Sequence, residues 1–414
     1  MNTKTEPGSA AEQVGPRTRM LVIATLGFAV TFWAWALISP LAPSLATKLG
    51  LSSFQQSLIV AVPVIVGSLG RIPVGALTDR FGGRLMLPLV SVATIVPVLF
   101  LAFFGDQSLA AVLIGGFFLG IGGTSFAVGV PFVNAWFPPE RRGLAIGIFG
   151  VGMGGTAISA FTTVRLVDLG SSATPFMVTA AALAIYAIVA WLFLRDAPGQ
   201  VRPTTSMAKR VGETLKLGVT WQAAALYATL FGGYVAFSVY LPSLLKAEYD
   251  LSIADASNRM AGFVILAVIM RPVGGFLSDK VGPVPVLATC LGAVVFGALI
   301  DATSPALFPI ATIAYLVMAA GLGAGSGATF ALVALLSPAG KVGSVTGVVG
   351  AAGGLGGFVP PLLMGVVYGA TGSYTIGFLL LALVAAVVLV FTLTSIRSVL
   401  AKRDAVEVQR EVTA

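Results

Sequence analysis

Two arginines stand out in a chain that has little else with which to do chemistry inside an apolar layer. Arg71, in GRIPVGALTDRFG, and Arg271, in MRPVGGFLSDKVG, each lie within a long hydrophobic run. Each precedes by eight residues an aspartate, Asp79 or Asp279, that opens a short charged turn. On a helix eight residues rise about 12 Å, which puts both guanidiniums near the middle of a bilayer core about 30 Å thick. A charge at that depth costs at least about 2.5–3.5 kcal/mol and calls for a partner. All 16 Asp and Glu fall in tails, loops or helix ends, so no intramembrane carboxylate is expected to pair with either arginine. Two guanidiniums facing one cavity need an anion, and their planar forks suit a small planar oxyanion. The competing reading is an arginine tied to backbone carbonyls for structure alone. A symmetric pair weakens it.

The remaining inventory excludes whole classes. The chain has no His and a single Cys, Cys290. That removes a disulfide framework, any Cys-based zinc or iron–sulfur site and the commonest proton shuttle. No metal or cofactor is expected, and an enzyme is not, because neither a nucleophile–base pair nor haem ligands are available. Of 414 residues, 57% are hydrophobic and 10% charged, with a mean hydropathy of +0.98. Soluble domains carry about 25% charged residues. The net charge of +8 sits between apolar runs and is no nucleic-acid footprint. The partner is a lipid bilayer.

Twelve apolar segments follow: 20–46, 55–79, 85–104, 109–136, 141–165, 173–194, 219–245, 255–279, 283–301, 306–336, 341–368 and 373–397. The expected fold is an all-α polytopic membrane protein with twelve transmembrane helices in two six-helix bundles. The first segment is too long for a signal-peptide core and is followed by similar ones. With both termini on one face, that face carries 18 Lys/Arg and the other four, Lys48, Arg165, Lys246 and Arg259. The positive-inside rule places both termini in the cytoplasm. The expected organisation is a disordered leader (1–19), an N-terminal bundle (20–194), a cytoplasmic linker (195–218), a C-terminal bundle (219–397) and a cytoplasmic tail (398–414).

The halves repeat each other at an offset of 200. Arg71, Gly75, Leu77, Asp79 and Gly82 recur as Arg271, Gly275, Leu277, Asp279 and Gly282. Gly143, Gly147, Gly150 and Gly154 recur as Gly343, Gly347, Gly350 and Gly354, and Leu51-Ser52 as Leu251-Ser252. Such duplication marks transporters that rock two bundles about a central site. The 4-3-4 glycine spacing puts one stripe on one helix face, where close backbone approach is expected. A G-x-G-x-x-G match within GVGMGG has no preceding strand, so a dinucleotide site is excluded.

GALTDRFGGR, with GFLSDKVG as its second copy, resembles the loop motif of the major facilitator superfamily. The resemblance implies a latch at the cytoplasmic helix ends built from Asp79, Arg80, Arg84, Asp279 and Lys280. GVVGAAGGLGGFVPP in segment 11 resembles the glycine-rich signature of the nitrate/nitrite porter (NarK-type) family, and RPVGGFLSD, GVGMGGTAISAF, GGTSFAVG and GSGATF match the same family. This likeness implies a substrate site for nitrate or nitrite clamped by Arg71 and Arg271. It adds Tyr227 and Phe231 from LYATLFGG, Phe126 and Phe330 as aromatics flanking the anion, and Gly154 and Gly354. One departure is Met153, where the family often carries Asn. The resemblance implies a monomer in the cell membrane. An empty cavity with two like charges resists closure, which favours exchange of nitrate for nitrite. Proton-coupled symport stays open, as do nitrate or nitrite preference and an assimilatory or respiratory role. Paired arginines would also suit a small organic anion, although a third intramembrane cation is lacking. Cys290, Phe32, Trp33 and Trp35 are read as packing.

Overall fold

The computed structural model describes residues 14–138, 142–198, 207–338 and 342–400. Twelve helices in it are long and apolar enough to cross a membrane. We number them α1 (Gly15–Leu49), α2 (Ser53–Gly75), α3 (Gly83–Phe104), α4 (Leu109–Trp136), α5 (Ala145–Leu169), α6 (Thr174–Phe193), α7 (Gly218–Tyr249), α8 (Ile253–Val281), α9 (Pro283–Asp301), α10 (Leu307–Leu336), α11 (Val345–Thr371) and α12 (Thr375–Leu400). No strand occurs among the described residues. In a bilayer each backbone amide must be satisfied within its own segment, so a chain of this composition has only helices or closed barrels available.

The repeat seen in the residues is also a repeat of helix ends. Gly50 and Asp250 both take left-handed conformations, with φ of 63° and 51°. Two residues later Ser52 and Ser252 each cap the next helix, accepting from the backbone N–H of Gln55 and Asp255. Gly82 and Gly282 have φ of 85° and 84°, values that a side chain would strain. They turn the chain between α2 and α3 and between α8 and α9. In the first half the turn is clasped by Asp196, which follows α6 and accepts from the backbone N–H of Arg84 at 3.0 Å. In the second, Pro283 stands where Gly83 does, and no described residue comes within 4 Å of a methyl built at Gly282.

Some edges differ from the sequence reading. Helix begins at Val14, inside the stretch expected to be a leader. A short helix, Met207–Thr214, lies in the linker, and α12 runs on to Leu400. Residues 1–13, 199–206 and 401–414, with Arg141 and Lys341, lie outside the described residues.

The halves meet along α2 with α11, α5 with α8, and α1 with α7. On the side opposite the described chain ends, hydrogen bonds join them: Ser39 Oγ to the Val239 carbonyl, and Arg165 Nη1 to Asn258 Oδ1 at 3.1 Å. Gly365 of α11 lies directly against Ser57 of α2. That side is closed.

Candidate functional site

Four of the helices that carry the site are irregular near their middles. Helix α1 breaks between Trp35 and Ile38. The segments Gly120–Thr124 of α4 and Val151–Gly154 of α5 tighten to 3-10 geometry, and α11 breaks between Gly356 and Val359. Irregular backbone at membrane depth is tolerated only where protein or a cavity surrounds it. Here it surrounds the arginines.

Arg71 is 8% exposed. Its Nε donates to the Gly123 carbonyl in the tightened turn of α4 at 3.3 Å, and its Nη1 donates across to the Gly350 carbonyl of α11 at 2.8 Å. Arg271, on α8, is partly exposed. Its Nη1 contacts the Met153 sulfur of α5, also across the halves, at 2.7 Å. Its Nη2 donates to the Tyr227 hydroxyl of α7 at 2.7 Å. Each arginine therefore bonds the glycine-rich helix of the opposite half. The two are close enough to repel each other, and Tyr227 is within electrostatic reach of both. No carboxylate pairs with either among the described ion pairs. A guanidinium has five N–H donors, so neither is saturated.

The aromatic residues divide between the arginines. The Arg71 guanidinium carbon lies 5.2 Å from the Phe126 ring centre. That of Arg271 lies 5.8, 5.5 and 5.8 Å from Tyr227, Phe231 and Phe330. Tyr227 and Phe231 stack at 4.7 Å, and Phe330 meets Tyr227 edge-on at 4.8 Å. Spacing of four on α7 puts the stacked pair on one face. The geometry thus gathers every aromatic that the family likeness nominated, with Phe126 serving one arginine and three rings the other.

The glycines correct the packing expectation. A methyl at Gly147, Gly154 or Gly347 would meet nothing within 4 Å, and one at Gly150 would be 4.0 Å from Arg271 Nε. These members of the stripe border open space. Close backbone approach belongs to their neighbours instead, as Gly155 rests on the Ala29 carbonyl of α1 and Gly356 on the Ala228 carbonyl of α7. Gly354 does abut the site: a methyl there would sit 2.2 Å from Ser68 Oγ and 3.4 Å from Arg71 Nη1.

Two of the described latch residues make contacts with aromatic rings. Arg80 lies over Phe81 at 5.2 Å and Lys280 over Phe276 at 4.4 Å. The described ion pairs include none of Arg80, Arg84, Asp279 and Lys280, and the Asp79 side chain lies outside what is described. The acid that holds the turn is Asp196.

Four contributors escaped the sequence. A small pocket at Arg71 is lined by Phe32, Trp35, Ser68, Gly123 and Gly354, so Phe32 and Trp35 do more than fill space. Ser68 precedes Arg71 by three residues on the same face, a visible spacing. Met153 was visible only as a departure. Asp301, which ends its apolar segment, is buried at 3% exposure.

Residues 24–257 and 223–411 match the family model of the Major Facilitator Superfamily. The chain is 46% identical over 375 residues to a protein of Mycobacterium tuberculosis named probable nitrate/nitrite transporter NarK2, covering 90% of this chain and 95% of that one. It is 35% identical over 365 residues to the nitrite extrusion protein of Bacillus subtilis, covering 88% and 91%. The probable nitrate transporter NarT of Staphylococcus haemolyticus is 35% identical over 366 residues, with 88% and 93% covered. Among solved structures, an inward-facing bacterial homologue of the lysosomal transporter Spinster superposes with a TM-score of 0.71 at 19% identity, over 92% and 97% of the chains. A D-xylose–proton symporter superposes with 0.72 at 16% identity, over 91% and 97%. These two establish the fold alone. With two crossed arginines at the junction of two six-helix repeats and relatives of this similarity along most of its length, the chain is a membrane transporter, not an enzyme, and belongs to the nitrate/nitrite porter family of the major facilitator superfamily.

Proposed function

We propose that this protein carries nitrate, nitrite or both across the cell membrane by alternating access, exchanging one anion for another. Both termini would lie in the cytoplasm, as the Lys/Arg asymmetry indicates. The observation that carries the reading is the pair of crossed guanidiniums, Arg71 and Arg271, each held by neutral acceptors only. An anion brings an opposite charge to guanidiniums that otherwise bond only neutral acceptors, and a planar oxyanion can be held bidentately. An anion entering between the halves would therefore displace the thioether of Met153 and the Gly350 carbonyl and bridge the two arginines. The Tyr227 hydroxyl would add a donor. Phe126 and Phe330 would wall the site with apolar surface, and the open faces at Gly154 and Gly150 would leave room for it.

Exchange follows from the charges. An arginine cannot release its proton at accessible pH, so the clamp has no group to pick up and drop a proton. A monovalent anion leaving as another enters keeps the cavity charge constant. Counterflow in proteoliposomes tests this: with nitrite inside and labelled nitrate outside, uptake should require the internal anion and should not be driven by a pH gradient. Accumulation into anion-free vesicles, driven by an inward proton gradient and collapsed by a protonophore, would overturn exchange.

A further inference from the structure

Asp301 ends α9 on the side opposite the described chain ends, and it alone among the described acids is buried, at 3% exposure. Both of its carboxyl oxygens are shielded and take no hydrogen bond. The same is true of the Tyr315 hydroxyl at the start of α10, which lies within electrostatic reach of it. The other titratable groups near it belong to the end of α7. Tyr249 interacts with Asp301 directly, and Glu248 acts on both Tyr249 and Tyr315. No lysine or arginine among the described residues contributes to its environment.

An ionised carboxylate is ill-suited to this place. It would lose its water without gaining a donor, and the end of a helix presents carbonyls and the negative pole of the macrodipole. A carboxylic acid that carries its proton suits the same space better, because a neutral group loses far less on leaving water. An ionisable residue within the layer is a functional candidate by default, and the anion site makes no use of this one. Arg271 is eight residues from Asp279, whereas Asp301 lies at the far end of α9. The rise per residue separates their levels by about 12 Å.

The surroundings connect Asp301 to the closed side. The Tyr315 ring meets Phe237 of α7 and Phe378 of α12, both at 6.3 Å. One turn beyond Phe237, the Tyr240 hydroxyl lies 3.3 Å from that of Tyr374 and faces Ser57 of α2, in the other half. The acid therefore backs the helix ends that make this closing contact. We propose that Asp301 is a proton-binding site, occupied in the closed arrangement seen here and emptied when that side opens. The proton comes from the solution on that side and returns to it. It sets how readily the side opens and does not travel with the anion.

The test uses the whole protein in two independent ways. Infrared difference spectra of the purified chain in lipid nanodiscs, recorded as pH is raised, should show a carboxylic acid carbonyl band that disappears and is missing from Asp301→Asn. No anion is involved, so this arm stands even if the nitrate reading fails. In proteoliposomes, nitrate/nitrite counterflow in the wild type should change several-fold as the solution facing Asp301 goes from acid to mildly alkaline. In Asp301→Asn it should stay flat, and in Asp301→Glu the dependence should return at a shifted pH. A wild-type pH profile in Asp301→Asn, or the same carbonyl band in both proteins, would overturn the proposal. So would an Asp301→Asn chain that does not fold, since the neutral isostere mimics the form that the site is argued to hold.

Discussion

Arg71 and Arg271 occupy the same position of a repeated sequence, yet they are held in different ways. Arg71 is buried and tied to two backbone carbonyls, one from each half. Arg271 is partly exposed and tied to a thioether and a phenol, with three rings around it. Carbonyl oxygens are strong acceptors fixed by their helices. A methionine sulfur is a weak acceptor on a flexible stem. The pair is thus one rigid jaw and one adaptable jaw. Duplication supplied matching charges, and divergence at one position, Met153 against Gly353, decided which jaw gives way to an anion.

Lysine at either arginine is the largest disturbance of this arrangement. Arg71→Lys and Arg271→Lys keep the charge and lose the fork. Charged hydrogen bonds are each worth about 1.5–3 kcal/mol, so nitrate affinity, titrated on purified protein, should fall roughly 10- to 100-fold. The loss should be greater for Arg71→Lys, whose partners cannot follow a shorter reach. Near-normal affinity in either variant would break the clamp. Removing a ring should cost less, about 0.5–2 kcal/mol of anion affinity for Phe126→Ala or Phe330→Ala. Phe296→Ala, at a side chain 60% exposed, provides the control. Equal effects at all three positions would reduce the two rings to packing.

Tyr227→Phe removes one donor from the adaptable jaw and leaves the stack with Phe231 in place. Anion affinity should fall by about 0.5–1.5 kcal/mol, with no change in thermal stability beyond that of a buried hydroxyl. The smallest and most diagnostic change is Met153→Leu, nearly equal in volume but without an acceptor. Relieved of an internal competitor, Arg271 should bind nitrate slightly more tightly, by about 0.5 kcal/mol. Weaker binding would mean that the sulfur positions Arg271 for the anion and does not compete with it.

Much of this was legible before any coordinates. The fold followed from a hydropathy that no soluble chain has, and the repeat was countable because Arg71, Gly82 and Ser52 recur 200 residues on. The two arginines stood out because a buried charge is rare and conspicuous. What escaped was whatever depends on the third dimension. The 4-3-4 glycines were assigned to packing because spacing reports which face they share, not what that face meets. Asp301 looked like an ordinary helix-end acid, since burial at a helix end is set by the neighbouring helices. Asp196 was hidden because its partner, the Arg84 backbone, lies more than a hundred residues away along the chain.

The glycines also divide the molecule mechanically. Gly155 on Ala29, Gly274 on Ala324, Gly327 on the Arg271 carbonyl and Gly356 on Ala228 are contacts too close for one added methyl. They behave as welds, fastening α1 to α5, α8 to α10 and α7 to α11, each within one half. A methyl built at Gly147, Gly154 or Gly347 meets no described atom within 4 Å, which makes the faces on which they lie bearing surfaces. A welded pair moves as one piece, and parts slide only where there is play. Alanine at a weld should therefore be punished by the fold, whereas alanine on a bearing face should leave the fold intact and alter only how freely the halves pass each other.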